Sequence, residues 1–370
     1  MRLETWRYFD FLLLGAVAVV IIFSIAMIDS AIAGNPELIE NDTVNRQIIF
    51  AGIGFAIIIL TTIFDYHFWA TIGRVMYVVL AVFLAIVIFG GGEGEAEFGA
   101  ARWINVGFAV VQPSELAKIT IIVIMSDFFA RHQEKMGRLD WVARSIFLTM
   151  GLVGLIIIQP DLSTSITLLV LWFALLFASG LPSKYILLFA AMAVILPIVS
   201  YPFLEDYQQQ RVTNFLFTDP DARFGEEYNV RQAIITIGSG GWLGQGYGQG
   251  SQVQLRFLKV RHSDFIFAAI SEEFGFIGAA VVMAILFFIV YRCLRAARLA
   301  HDSYGALICY GVATLFAFQT LVNIGMNLKL MPVTGLPLPL ISQGGSSLLS
   351  IMLGIGLVES VVSRHKTALD

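Results

Sequence analysis

Long apolar runs alternate with short polar segments along almost the whole chain. A transmembrane helix needs about 20 apolar residues to cross roughly 30 Å of hydrocarbon. Runs of this kind have approximate bounds 9–29, 47–64, 74–90, 112–130, 141–158, 161–179, 184–202, 265–291, 303–326 and 344–362. The pattern predicts an all-α integral membrane protein, a single polytopic domain of residues 1–370 with about ten transmembrane helices. One polar stretch, residues 203–263, is long enough to be a large loop between helices 7 and 8.

Composition excludes a soluble protein. The chain is 58% hydrophobic and only 14% charged, whereas soluble domains carry about 25% charged residues. We expect lipid around the protein and no nucleic-acid partner. The two cysteines, Cys293 and Cys309, predict neither a disulfide framework nor a zinc site.

The charges of the short loops predict the orientation. If the N-terminus is cytoplasmic, most loop cations fall on the cytoplasmic side, as the positive-inside bias requires. These inner cations are Arg131, Lys135, Arg138, Lys184, Arg292, Arg295, Arg298, Arg364 and Lys366, against Arg46, Arg102 and Lys329 in the short outer loops. Both termini are therefore predicted to be cytoplasmic, and the long loop to be extracellular.

A basic loop changes into an apolar helix within residues Gly250–Gly278, with Asp264 at the junction. One interpretation is a helix start, in which Ser263 and Asp264 cap the first turn. The other is a carboxylate held at the membrane surface, where it can accept a proton from a substrate hydroxyl. The second interpretation also uses the preceding cationic side chains, which suit an anionic lipid headgroup: Arg256, Lys259, Arg261 and His262.

Glu115 and Lys118 lie three residues apart in the first turns of the helix that begins near Pro113, so they share a face. An ionised group inside a span costs about 2.5 to 3.5 kcal/mol, which directs such a pair to the bundle interior. A structural ion pair and a substrate-facing pair are both consistent with this spacing.

Other candidate site residues are polar groups near the outer ends of helices. Arg102 offers planar donors that suit a pyrophosphate. Trp103 either offers a ring face for a sugar or is an aromatic belt residue at the membrane interface. Asp161 is expected to cap its helix or to line a polar cavity. Glu272 is about 80° around the helix from Asp264, whereas Glu273 points away and is expected to pair with another helix.

Two irregular segments complete the outer side. Prolines in residues 332–339, followed by polar residues 342–347 that include Ser346, predict a broken segment dipping towards the core. The glycine-rich stretch Gly238–Gly250 matches no nucleotide-binding motif. We expect it to fold back over helix ends.

Three blocks resemble the SEDS (shape, elongation, division and sporulation) family of membrane glycosyltransferases. They are GAARWINVGFAVVQPSELAK at Gly99–Lys118, GSQVQL…HSDFIFAAISEEFGFIG at Gly250–Gly278, and NIGMNLKLMPVTGLPLPLISQGGSSLL at Asn323–Leu349. The chain departs from the family at two positions, because a tyrosine is usual where Gln343 stands and a glycine is frequent where Lys329 stands. GSQVQL and the short N-terminal lead resemble the rod-elongation member more than the division member.

The resemblance implies a peptidoglycan polymerase. Such an enzyme joins lipid II, an undecaprenyl-pyrophosphate-linked disaccharide pentapeptide, into glycan strands at the outer face of the bacterial cytoplasmic membrane. It implies Asp264 as general base, a role for Glu115 and Lys118 in activity, and a class B penicillin-binding protein as partner. For the base to work, burial has to raise the pKa of Asp264 above its reference value near 3.9.

Several alternatives stay open. The same helix bundle would suit a lipid II flippase, or a structural scaffold for a cell-wall transpeptidase. A divalent cation such as Mg²⁺ is a candidate for sharing the pyrophosphate charge, although the sequence shows no dedicated metal site. Small residues Gly275, Gly278, Ala279 and Ala280 are a candidate contact face for a partner helix, or a packing face within the bundle.

Overall fold

The computed structural model describes residues 8–33, 36–40, 42–90, 102–105, 110–133, 139–217 and 225–364. The helices are α1 Phe11–Ile32, α2 Pro36–Glu40, α3 Thr43–Ile63, α4 Tyr66–Gly90, α5 Pro113–Arg131, α6 Leu139–Ile158, α7 Leu162–Ala178, α8 Ser183–Ser200, α9 Asp206–Leu216, α10 Gly225–Ser239, α11 Ser251–Gln254, α12 Ile266–Leu299, α13 Ser303–Asn327 and α14 Gly345–Val362. Strands β1 Ile104–Asn105 and β2 Val110–Val111 form a short antiparallel pair.

Among the described residues, ten long helices coincide with the ten predicted spans, so the all-α membrane fold is confirmed. Seven helical stretches in the described part of the chain are long and apolar enough to cross a membrane, and α7 is a shorter apolar helix. Large apolar side chains point outwards where lipid would be, for example Phe89, Phe147 and Leu187. The two-residue strand pair and helices α9 to α11 inside the long loop were not predicted. Residues 218–224 of that loop lie outside the described residues.

Helix α5 is the central element of the bundle. It packs against α4, α7 and α13, while α14 packs closely on α3 and α12 on α13. The interior positions of α5 are filled by β-branched and other apolar side chains, including Ile119, Ile122 and Val123, all nearly inaccessible. A helix buried on most sides has no continuous polar face, so its few ionisable groups must find partners inside the protein.

The helix α12 is broken at Gly275, where φ is 66° and ψ is −167°. The backbone groups freed by the break bind the glycine-rich segment: Phe276 N–H donates to the Gly241 carbonyl at 2.8 Å, and Gly246 N–H donates to the Glu273 carbonyl at 3.0 Å. The segment therefore folds back onto a helix, as predicted, but at a break within α12 rather than over a helix end. Backbone groups in a membrane protein need such partners because lipid supplies none.

The break predicts that Gly275→Ala strongly destabilises the protein. This backbone region is essentially restricted to glycine, and an added Cβ would be 2.4 Å from the Gly244 nitrogen. We expect a loss of about 3 kcal/mol or more, measured as thermal unfolding in detergent. Gly15→Ala is the matched control, since a Cβ at Gly15 meets nothing within 4 Å. Equal stability of the two variants would contradict the break.

Candidate functional site

Asp264 lies in the loop between α11 and α12, residues 255–265, which we term the Asp264 loop. Its backbone carbonyl accepts hydrogen bonds from the side-chain amides of Asn323 and Asn327, each at 3.1 Å. The Asn327 side-chain oxygen in turn accepts from Ala268 N–H at 3.2 Å. The two asparagines are four residues apart on one face of α13, so they clamp the loop to the start of α12.

The segment between α13 and α14 supports the same loop. Ser342 Oγ donates to the Ser263 carbonyl at 2.7 Å, and Gln343 N–H donates to the His262 carbonyl at 3.0 Å. Ser342 Oγ also accepts from Leu338 N–H at 2.9 Å. The predicted broken segment is thus confirmed, because no helix spans residues 328–344 and its polar turn reaches the site.

Interpreting Asp264 as a helix cap was wrong. The helix α12 begins at Ile266 after Phe265, which supplies no side-chain cap, and the Ala268 N–H of its first turn donates to the Asn327 side chain instead. The Asp264 carboxylate is therefore available for other contacts. Its backbone, rather than its side chain, carries the structural role.

The surroundings of the Asp264 carboxyl favour a base. Burial is the largest influence and raises the pKa of Asp264 to about 6, while Arg211 and a hydrogen bond with Ser263 oppose the rise and Glu226 adds to it. This meets the requirement stated from the sequence, namely that burial must raise the pKa of Asp264 above its reference value. The opposing cation is on α9, in the long loop, and the sequence had not suggested it.

The four basic residues before Asp264 have different environments. Arg261 is buried, and its guanidinium donates to the Ala31 carbonyl at the end of α1. Burial and the neighbouring Arg261 lower the pKa of His262 to about 4, so this ring is neutral at pH 7. Arg256 and Lys259 are exposed. The loop thus presents two cations to solvent and uses a third to hold α1.

Glu115 and Lys118 form an ion pair, with Lys118 Nζ 2.7 Å from Glu115 Oε2. The pair is in the bundle interior, as expected, because the two side chains are only 6% and 1% exposed. Ser350 Oγ of α14 donates to the Glu115 carbonyl at 2.8 Å. The pair therefore lies in the outer turns of α5, next to the start of α14.

Asp161 links the outer ends of α5 and α7. Its carboxylate caps α7 by accepting from Thr164 N–H at 3.1 Å, and it also accepts from Ser114 Oγ at 3.2 Å and Gln112 Nε2 at 3.3 Å. Capping, as expected, explains much of its role. The remaining contacts bring Asp161 to the turn that carries Glu115.

Arg102 and Ser346 brace the same end of the bundle. Arg102 donates to the Pro160 carbonyl at 2.9 Å and to the Gln159 carbonyl at 3.2 Å. Ser346 Oγ accepts from Gln112 N–H at 3.1 Å. Trp103 is partly buried beside Arg102. These predicted residues therefore lie at the outer ends of α5, α7 and α14.

The two glutamates of α12 have separate partners. Glu272 is fully buried, and its carboxylate accepts from Gln252 N–H at 2.8 Å and Val253 N–H at 3.1 Å. Both contacts cap the short helix α11, so Glu272 holds the segment that leads into the Asp264 loop. Glu273 accepts a hydrogen bond from Ser30 Oγ of α1, which confirms the expected pairing with another helix.

A cavity that the sequence did not indicate lies between α9, α10 and the segment after α13. We term it the outer cavity; its volume is about 370 Å³ and its charged lining residues are Arg211, Glu226, Glu227, Arg231 and Lys329. Its helices lie in what the pattern showed only as a long polar loop. The asparagine pair of α13 does not line this cavity; in the sequence it is a signal only for the clamp on the Asp264 loop, since buried amides in an apolar span need polar partners.

Metal ligands are not gathered anywhere in the part of the chain that the structure describes: no three His, Cys, Asp or Glu side chains there could hold one ion together. A requirement for Mg²⁺ stays a prediction.

The fold and the site define a polytopic α-helical membrane protein with a polar site at the outer end of its bundle. The chain belongs to the FtsW/RodA/SpoVE family, described as cell cycle proteins, which matches residues 5–367. It is accordingly a multi-pass protein of the bacterial cytoplasmic membrane. The SEDS resemblance is confirmed.

Named relatives are similar over most of the chain. The "Probable peptidoglycan glycosyltransferase FtsW" of Trichlorobacter lovleyi is 33% identical over 97% of this chain and 94% of its own. The "Peptidoglycan glycosyltransferase MrdB" of Escherichia coli is 35% identical over 81% of this chain and 80% of its own. A solved structure described as "Structural coordination of polymerization and crosslinking by a peptidoglycan synthase complex" is 29% identical, with a TM-score of 0.80, over 97% of this chain and 98% of that one.

Proposed function

We propose that this protein is a peptidoglycan glycosyltransferase that polymerises lipid II at the outer face of the cytoplasmic membrane. The observation that carries the proposal is the Asp264 carboxyl. Its loop is clamped by Asn323 and Asn327, and burial raises its pKa to about 6. The names of the relatives point to the same chemistry.

In the proposed reaction, the acceptor sugar hydroxyl attacks the anomeric carbon of the donor. The bond from that carbon to the pyrophosphate oxygen breaks, and the lipid pyrophosphate leaves with the electron pair. The hydroxyl proton passes to the Asp264 carboxylate. An α-linked donor giving a β-linked product requires one inverting displacement, and hence a base positioned at the acceptor hydroxyl.

The other predicted residues receive supporting roles in this proposal. Glu115 and Lys118 supply buried charge at the site, and Arg102, Arg256 and Lys259 supply cations for the pyrophosphate. Trp103 supplies a face for a sugar. Binding roles are also proposed for Arg261, His262, Asp161, Glu272 and Ser346, of which Asp161, Arg261 and Glu272 hold the surrounding loops and helix ends.

We further propose a class B penicillin-binding protein as partner and a role in cell elongation. The similarity to the peptidoglycan synthase complex supports a partner. The predicted contact face for a partner helix on α12 is partly covered by other segments of this chain, because Gly275 and Ala279 are buried in the bundle. Elongation is supported by the GSQVQL block, while relatives named FtsW and MrdB are similar to about the same degree.

The deciding experiment is polymerisation of purified lipid II by the purified protein, with and without its partner. Glycan polymer formed by the wild type supports a transferase. Movement of lipid II across a vesicle membrane without polymer would instead support a flippase, and activity of the partner alone would support a scaffold. Depletion that rounds cells supports elongation, whereas filamentation supports division.

The raised pKa predicts the pH dependence of the reaction. The base must be ionised, so kcat/KM should fall about tenfold per pH unit below about 6 and level off above it. The effect on folding stability has the opposite sign. Because the Asp264 carboxyl has a higher pKa in the folded than in the unfolded protein, its protonation stabilises the folded state fully below about pH 4, and this stabilisation is lost as the pH rises through 6. Arg211→Gln removes a cation that lowers the pKa, and should move the midpoint upwards. A flat profile from pH 5 to 8 would contradict Asp264 as base.

A further inference from the structure

A groove on the lipid-facing side of the bundle lies between α1 and α12, which pack against each other. Its volume is about 480 Å³, and its lining side chains are apolar, among them Leu12, Ala16 and Phe288. Gly15 provides part of the room, because a Cβ built at Gly15 would meet nothing within 4 Å. We term this site the inner-leaflet groove.

The inner-leaflet groove belongs to the cytoplasmic half of the membrane, where α1 begins and α12 ends. It extends from Phe11 to Val19 on α1 and from Val281 to Phe288 on α12. At 1.5 Å per residue this is about 12 Å, close to one leaflet of a hydrocarbon core about 30 Å thick. The length matches one acyl chain, whereas a partner helix that spans the membrane would need contact over about twice that length.

An arginine lies beyond the cytoplasmic end of the groove. Arg295 is exposed and follows Phe288 by seven residues, so it lies on the groove face of α12. Helix side chains lean towards the N-terminus of their helix, and we therefore expect the Arg295 guanidinium beside the mouth of the groove. Arg295 makes no hydrogen bond or ion pair with any residue that the structure describes. Its charge is therefore available to a ligand.

The other charges near this end of the groove are paired, buried or cationic. Arg292 Nε donates to the Asp10 carboxylate at 2.8 Å, so these two charges offset each other. Glu359 accepts from the Asp10 N–H at 3.0 Å and is fully buried, so it does not face lipid. The exposed charged side chains of α12 beyond the groove are Arg295 and Arg298. The surface that a headgroup would meet on this helix is cationic.

We propose that the inner-leaflet groove binds an anionic phospholipid of the cytoplasmic leaflet, with one acyl chain between α1 and α12 and its phosphate at Arg295. Apolar contact alone selects no occupant, because lipid tails are as apolar as leucine side chains. Selection comes from the length of the groove and from the guanidinium, which binds phosphate oxygens through paired hydrogen bonds. The lipid would link the start of α1 to the end of α12, the helix that follows the Asp264 loop.

The test counts the phospholipids retained by the purified full-length protein, using native mass spectrometry. The protein is first equilibrated in micelles with equal amounts of phosphatidylglycerol and phosphatidylcholine that carry the same acyl chains. The wild type should retain about fivefold more phosphatidylglycerol, the effect of one arginine near an anionic headgroup. Arg295→Gln should lose this preference. Arg298→Gln is the matched control and should keep most of it, since Arg298 is about 80° around α12 from Phe288 and Arg295 only about 20°.

The variant Gly15→Leu tests the groove itself. The leucine side chain would occupy the open space beside Gly15, so bound phospholipid of either kind should be lost while thermal stability in detergent is unchanged. Gly52→Leu is the matched control. Gly52 is exposed on α3, a Cβ there also meets nothing within 4 Å, and the residue does not line the groove.

Three results would overturn the inference. They are equal retention of the two lipids by the wild type, an undiminished preference in Arg295→Gln, and phospholipid retained by Gly15→Leu at the level of Gly52→Leu. A wild-type dimer that Gly15→Leu converts to a monomer, with no phospholipid retained, would assign the groove to a second copy of the chain. If Gly15→Leu unfolds, the comparison of Arg295→Gln with Arg298→Gln decides. None of these measurements uses polymerisation, so the inference stands or falls separately from the proposed function.

Discussion

Asp264→Asn should reduce polymerisation of lipid II by roughly a hundredfold or more while leaving the protein folded. The amide keeps the size of the side chain but cannot accept the hydroxyl proton. The structural contacts of this residue are made by its backbone carbonyl with Asn323 and Asn327, and these survive the substitution. Stability should therefore change by no more than about 1 kcal/mol.

The measurement is glycan polymer from purified lipid II, alongside thermal unfolding in detergent and partner binding. Asp42→Asn is the matched control, because Asp42 is an exposed outer carboxylate whose side chain makes no cap hydrogen bond to α3. Substantial polymer from Asp264→Asn would move the base elsewhere, with Glu115 the next candidate. A flippase has no obligate base and would keep its activity in this variant.

Single alanine substitutions at Glu115 and Lys118 should each destabilise the protein by about 3 to 5 kcal/mol. Each leaves a charge without its partner at a site where the two side chains are 6% and 1% exposed. Each should also reduce polymerisation severely, because the pair lies in the outer turns of α5 next to the contacts of Asp161 and Ser350. The double substitution removes both charges and should cost clearly less than the two single effects added together.

A double-mutant cycle in thermal stability and in polymerisation measures this coupling. The exposed pair of Asp127 and Arg131, at 2.7 Å on the same helix with side chains 26% and 60% exposed, is the control. Its coupling should be at most about 0.5 kcal/mol. Additive effects at Glu115 and Lys118, or coupling as small as in the control, would argue against a direct pair.

The sequence alone determined where the ten long helices are and which end of the bundle is polar. Hydrocarbon thickness fixes the length of a span, and loop cations fix its direction, so both are properties of local composition. The Glu115–Lys118 pair followed from helix geometry, because a separation of three residues places two side chains on one face. The pairing of Glu273 with another helix was also predictable, because a lone charge inside a span is costly in free energy.

Only the tertiary structure decided what surrounds Asp264. Asn323 is 59 residues away in the chain, and Arg211 lies on a helix hidden in a polar loop; no periodicity relates such positions. Arg261 resembled a headgroup ligand in the sequence, and only the packing shows that its guanidinium also holds the end of α1. The break at Gly275 is flanked by apolar residues on both sides and left no trace in the hydropathy pattern. Irregular backbone must find hydrogen-bond partners wherever the chain packs against it, and those partners are set by long-range packing.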